Sequence, residues 1–159
     1  NADVAGLYPG VQQMEVLKEF RIATFRILPF EAEHDVPCYG YQVASEETGE
    51  KLVYITDSAY VKYTFSGLTH IMIEANYAED IMIGNVRDER VPLSLAARVV
   101  QTHMSIENLL DLLRSNDMTQ VRQIYLLHLS DNNRLSNGRC SRKRAQRYTS
   151  HDTCRTRCK

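Results

Sequence analysis

Three short apolar runs in this chain each stop abruptly on polar side chains, and they constrain its fold more than any other feature. Lys51 to Thr56 contains Leu-Val-Tyr-Ile and gives way to Asp57. Leu68 to Ala75 contains Ile71-Met72-Ile73 and ends in Glu74 and Asn76, and Val121 to Leu129 contains Tyr125-Leu126-Leu127 and closes with His128. Runs this short and continuous are those of strands buried in a sheet. Between the second and third lie two segments of helical period. Leu93 to Val100 follows Pro92, a residue suited to a helix start, and keeps Leu95, Val99 and Val100 near one face. Ile106 to Leu113 sets Ile106, Leu109, Leu110 and Leu113 at helical spacing, with Ser105 as N-cap and Glu107 in the first turn, where the helix dipole favours negative charge. The acidic stretch from Tyr77 to Met82 is compatible with a further helix. Upstream, Phe20, Ile22, Phe25, Ile27 and Phe30 alternate with polar partners and predict paired half-buried strands; Tyr39 to Ala44 is another such run before the Thr48-Gly49 turn. Strand, helices, strand implies an α/β layered fold.

Charge divides the chain in two. The 159 residues carry 19 Lys+Arg against 20 Asp+Glu, with 43% apolar residues, which excludes disorder throughout. Residues 1–133 hold 10 Lys+Arg and 19 Asp+Glu, a balance of −9, whereas residues 134–159 hold 9 and 1, a balance of +8. Apart from cysteine, Leu135, Ala145 and Tyr148 are almost the only apolar residues after Asn133, too few to bury a face, so disorder is expected there. The expected organisation is an entry segment over 1–15, a folded body over 16–133 and a basic tail over 134–159. Cys38 is the body's lone cysteine, which argues against a disulfide scaffold. No apolar run approaches the roughly 18 residues a membrane span needs, and Asn1 to Gly10 lacks the pattern of a secretory signal. The expectation is a cytoplasmic protein with no membrane partner.

Four polar groups follow apolar strands: His34 after Phe30, Asp57, Glu74 and His128. In layered α/β proteins, ligands gather at strand ends, because the sheet fixes the backbone while the next loop aims side chains. Taken singly, each reads more simply as a turn cap or a hydrogen-bonded histidine; the four together weigh more. Two imidazoles and a carboxylate suit zinc, and an aspartate bridges two ions through its two oxygens. Glu74 and His103 form a second pair: a carboxylate beside an imidazole holds its tautomer and favours its protonated form, which suits a general acid. His103 also precedes the Ser105 helix by two residues, where free backbone N–H groups attract a phosphate. His70, Met72, Met82, Met104 and Cys38 read as satisfied or packed side chains.

The ordered blocks His34-Asp35-Val36-Pro37-Cys38-Tyr39-Gly40-Tyr41, Tyr54-Ile55-Thr56-Asp57-Ser58, Ile73-Glu74-Ala75-Asn76, Thr102-His103-Met104-Ser105 and Leu127-His128-Leu129-Ser130 resemble the metallo-β-lactamase superfamily, in its phosphodiesterase and nuclease branch. The resemblance covers residues 16 to 133. It implies an αββα sandwich, of which this chain holds an incomplete C-terminal part with a mixed sheet flanked by helices. It further implies His34, Asp57 and His128 as metal ligands, Glu74 and His103 as the catalytic pair that protonates the leaving oxygen, and Ser105 as a substrate-phosphate contact. The implied cofactors are two divalent ions, zinc first and manganese as the alternative. The implied activity is hydrolysis of phosphodiester bonds in nucleic acid by a metal-activated hydroxide. The same fold also hosts hydrolysis of non-phosphate esters, thioesters and lactams, and a non-catalytic nucleic-acid-binding remnant stays open, as does a homodimer. One departure is severe: the family's first metal motif, His-x-His-x-Asp-His, is nowhere in this sequence. The expectation is therefore a fragment of a longer enzyme, in preference to a degenerate homologue. Relatives place an amphipathic helix after the last histidine, and nothing from Arg134 onward supplies its apolar face. A shifted reading frame is the favoured explanation of that tail, ahead of a phosphate-binding arm and of a zinc knuckle built from Cys140, His151, Cys154 and Cys158.

Overall fold

The computed structural model describes residues 10 and 13–130, together with the backbone of residues 146–149. One mixed sheet runs in chain order: β1 (Phe20–Ile22), β2 (Phe25–Ala32), β3 (Cys38–Ser45), β4 (Lys51–Ile55), β5 (His70–Glu74), β6 (Gln123–Leu127) and β7 (Gln146–Thr149). The first four strands pair antiparallel; β4, β5 and β6 run parallel. Three helices, α1 (Glu79–Arg87), α2 (Leu93–Thr102) and α3 (Ile106–Arg114), occupy the crossover from β5 to β6, as a parallel connection requires.

The alternation along β4 and β5 decides the core. Val53, Ile55, Ile71 and Ile73 point to one face and are buried with Leu68, Met104, Leu109, Leu112 and Val121, so α3 is held against the sheet by Leu109 and Leu112. Burying a side chain such as Ile55 or Ile73 contributes about 1.5–3 kcal/mol. On the opposite face Leu52, Tyr54, His70, Met72 and Tyr125 are only half-buried. Phe30 closes the core's edge: its ring packs on Tyr63 and Phe65 at centroid distances of 5.3 and 5.2 Å. Its cross-strand partner is Gly40, and a Cβ there would lie 2.3 Å from the Phe30 ring, so only glycine leaves room.

Local capping follows the sequence closely. Ser105 is the N-cap of α3, its Oγ accepting the Asn108 N–H at 3.1 Å, with Glu107 in the first turn and Arg114 in the last. Pro92 is the N-cap of α2. The inward face of α2 differs from the expectation: Ala96 and Thr102 are buried, while Leu95 and Val100 are half exposed. A smaller cluster of Tyr77, Met82, Val91 and Ala96 joins α1 to α2, so the close contact between these helices selects a small residue over the larger apolar ones. Met82 and Met104 are buried as expected; Met72 lies half-buried on the open sheet face.

Of the basic segment 134–159, the described residues form β7, paired antiparallel with β6. Ladder bonds need only backbone groups, and β6 would otherwise be an unpaired edge, so a segment with no apolar face still extends the sheet. Cys140, His151, Cys154 and Cys158, and the entry segment before Gly10, lie outside the described residues. No helix among the described residues is long and apolar enough to cross a membrane.

Candidate metal centre

Three parallel strands deliver their C-terminal ends to one edge of the sheet. Glu74 is the last residue of β5, His128 follows β6 directly, and Asp57 stands two residues beyond β4. Asp57 and His128 both take the left-handed backbone conformation, with φ of 54° and 50°. Asp and His reach it more readily than most side chains, at a cost of about 1–2 kcal/mol each, and it turns both side chains back across the strand ends. The fourth member comes from the helical layer. His103 is the C-cap of α2 in extended conformation, and its loop is zipped to the chain after β5: the Asn76 N–H donates to the Met104 carbonyl at 2.9 Å and the Ile106 N–H to the Tyr77 carbonyl at 2.8 Å.

The result is a compact cluster. His103 Nδ1 lies 2.6 Å from Glu74 Oε1 and 3.7 Å from Asp57 Oδ1. His128 Nδ1 lies 3.3 Å from Asp57 Oδ1 and 3.7 Å from Glu74 Oε1. Glu74 is fully buried and saturated with donors: besides His103, Oε1 accepts from Asn76 Nδ2 at 3.1 Å and Oε2 from the Ser58 N–H at 3.3 Å. A buried carboxylate persists only with such partners. One ligand atom from each of Asp57, Glu74, His103 and His128 falls within 4.8 Å of the others. Donors around a tetrahedral zinc at roughly 2.0–2.2 Å stand about 3.3–3.6 Å apart. The Asp57–His128 separation meets that spacing, the two 3.7 Å separations nearly do, and the short Glu74–His103 contact is instead a hydrogen bond. Asp57 and His128 therefore stand at ligand spacing for one divalent ion, with Glu74 and His103 bonded to each other beside them.

His34 stands beside this group and outside it. Its ring meets the His103 ring edge-on at 5.8 Å, and its Nδ1 lies 2.8 Å from Asp35 Oδ1, while Asp35 Oδ2 is 3.3 Å from Arg98. Ser105 is fully buried, with its hydroxyl accepting the cap bond and donating to Glu79 Oε1 at 3.2 Å. Cys38 is close enough to be influenced: burial pushes its thiol up, the Tyr39 backbone bond opposes this, and the charges of Asp57 and Glu74 add to the rise. A thiol held protonated is a poor nucleophile. Asn76 and Ser58, which bond Glu74, were not singled out from sequence for any role at the site. The one sequence signal for Asn76 is its place as the last residue of the Ile73-Glu74-Ala75-Asn76 block.

No family model matches the sequence, and no curated protein matches it either. Among solved structures, the chain resembles the metallo-beta-lactamase fold protein YhfI from Bacillus subtilis, at 16% identity with a TM-score of 0.53, over 74% of this chain and 42% of that one. Human tRNase Z, short form, aligns at 14% identity with a TM-score of 0.47, over 70% of this chain and 39% of that one. The chain thus spans less than half the length of either structure. Its mixed sheet, helical crossover and strand-end cluster form an incomplete α/β metallo-β-lactamase fold.

Proposed function

We propose that this chain supplies one edge of a metal-dependent hydrolase active site, for phosphodiester bonds in nucleic acid. The observation that carries this reading is the 2.6 Å contact of buried Glu74 with His103, directly beside the Asp57–His128 pair. The contact assigns the Nδ1 proton of His103 to Glu74 Oε1, leaving Nε2 as the nitrogen that holds a proton for a departing oxygen. Glu74 orients the ring and balances its positive charge. Asp57 and His128 would hold the ion, zinc or manganese, with His34 as the third ligand brought from the neighbouring loop, where Asp35 Oδ1 lies 2.8 Å from its Nδ1. When bound, the ion supplies Lewis acidity and neutralises charge on the phosphoryl group. A second ion needs ligands of the His-x-His-x-Asp-His kind, which no stretch of this sequence contains.

Calorimetric titration of the 159-residue chain with Zn²⁺ and Mn²⁺ tests the ion. Binding that weakens more than about tenfold in His128→Ala supports the reading; absence of binding, or binding unchanged in that variant, overturns it. Hydrolysis is tested on bis(p-nitrophenyl) phosphate with the chain joined to a segment that supplies the missing motif. Loss of rate in His103→Ala supports the acid assignment, and faster turnover of a thioester or lactam overturns the phosphodiester assignment.

A further inference from the structure

We infer that Asn76 is the positioning residue that locks the Glu74–His103 pair and His128 into one register. The inference deepens the reading above and rests on it for the meaning of that register. Asn76 Nδ2 donates to two acceptors at once, Glu74 Oε1 at 3.1 Å and the His128 carbonyl at 3.1 Å. A primary amide carries two N–H donors on one nitrogen, and here both neighbours are pure acceptors, so the orientation of the amide is fixed by its partners. The backbone of Asn76 is pinned just as firmly. Its N–H donates to the Met104 carbonyl at 2.9 Å, next to His103, and its carbonyl accepts the Ser130 N–H at 3.0 Å, two residues beyond His128.

Both loops that present site histidines are therefore fastened to this one residue. The fastening matters most at His128, whose left-handed backbone turns its carbonyl out of the β6 ladder toward the Asn76 amide. Without that bond the strained turn loses a restraint, and the 3.3 Å approach of His128 to Asp57 loses its reference to Glu74. At Oε1 the Asn76 donor also fixes the carboxylate plane to which His103 bonds. Threonine or serine at this position carries one hydroxyl donor and bridges only one of the two acceptors; alanine bridges neither.

The test uses the whole chain as Asn76→Ala and Asn76→Ser, with histidine ring NMR signals recorded without metal at one pH and Zn²⁺ affinity measured by calorimetry. In Asn76→Ala the ring signals of His103 and His128 shift while those of His70, at the far end of β5, stay in place; Asn76→Ser shows a smaller shift. Zinc affinity falls about 10–100-fold in Asn76→Ala, the range for residues that orient ligands, and recovers part of the way in Asn76→Ser. A general structural role would move all three histidines together or none of them, and either pattern overturns the inference. Zinc affinity within about threefold of the parent chain overturns it as well. Should the parent chain bind no zinc, the proposed function fails, and the ring signals still decide the role of Asn76. If Asn76→Ala does not fold, the serine variant carries the same comparison.

Discussion

At its two ends β5 carries a titratable side chain, His70 where it enters the sheet and Glu74 where it leaves, and the two ends are built differently. The His70 ring has one side-chain partner, its neighbour in sequence: its Nδ1 lies 2.9 Å from Thr69 Oγ1, and Thr69 in turn exchanges bonds with the backbone of Lys51 on the adjacent strand. At Glu74 three partners, Ser58, Asn76 and His103, converge on one carboxylate, with Asp57 and His128 beside it. The direction of the chain makes the difference. All three parallel strands leave at the same edge, and each is followed by a segment free to aim a polar group inward, so the exits converge. An antiparallel neighbour would have sent one of those groups to the opposite edge. Chemistry can assemble at the exit of β5, whereas its entry is stitched into the sheet.

The harshest way to break this contrast is to remove what anchors the exit. Ile73, fully buried one residue before Glu74, should cost about 2–5 kcal/mol as Ile73→Ala, read by urea unfolding. A loss below about 1 kcal/mol would mean that the exit is not held by the core. Next comes the carboxylate itself. Glu74→Leu keeps the volume but strands the Ser58 N–H, the Asn76 amide and the His103 ring, at a cost of about 3 kcal/mol in the same measurement. His70→Ala sharpens the comparison from the other side, since its single local partner predicts a change within about 0.5 kcal/mol. Equal costs at the two ends would abolish the distinction.

The smallest effect is electrostatic. The Cys38 thiol is raised by burial and by the Asp57 and Glu74 charges, so the folded state holds its proton more tightly than the unfolded chain does. That contribution to stability is present below the ordinary thiol pKa and is lost as pH rises through the raised folded value. At neutral pH, iodoacetamide should therefore alkylate Cys38 more slowly in the native chain than in urea, read by peptide mass mapping. Asp57→Asn should narrow the gap, and equal rates in native and unfolded protein would sink the idea.

Much of this arrangement is legible in the residues. The runs ending at Asp57, Glu74 and His128 announce β4, β5 and β6, because a strand buried in a sheet needs a short continuous apolar stretch. The Ser105 cap of α3 is equally local, one side chain answering an N–H three residues on. Where the reading fell short, the deciding contacts were distant. Helical period located the apolar stripe of α2 but not which side of it faces α1, and Ala96 rather than Leu95 or Val100 makes that contact. The role of Asn76 depends on a carbonyl 52 residues away, and that of Ser58 on a carboxylate 16 residues away. The full burial of Ser105 among its neighbours is likewise not written in its spacing, which announces only the cap.

Whereas β7 arises in the basic segment whose composition reads as disordered, the sequence alone determined which segments between Phe20 and Leu127 form strands and helices and where each polar side chain falls along them. Those are properties of short-range periodicity, composition and capping, set by neighbours a few residues apart. Tertiary structure alone decided that Asp57, Glu74, His103 and His128 share one edge, that His34 stands just beyond them, and that Asn76 holds them in register. Parallel pairing and the helical crossover bring together groups up to 71 residues apart, from Asp57 to His128, and no local pattern specifies how distant segments meet.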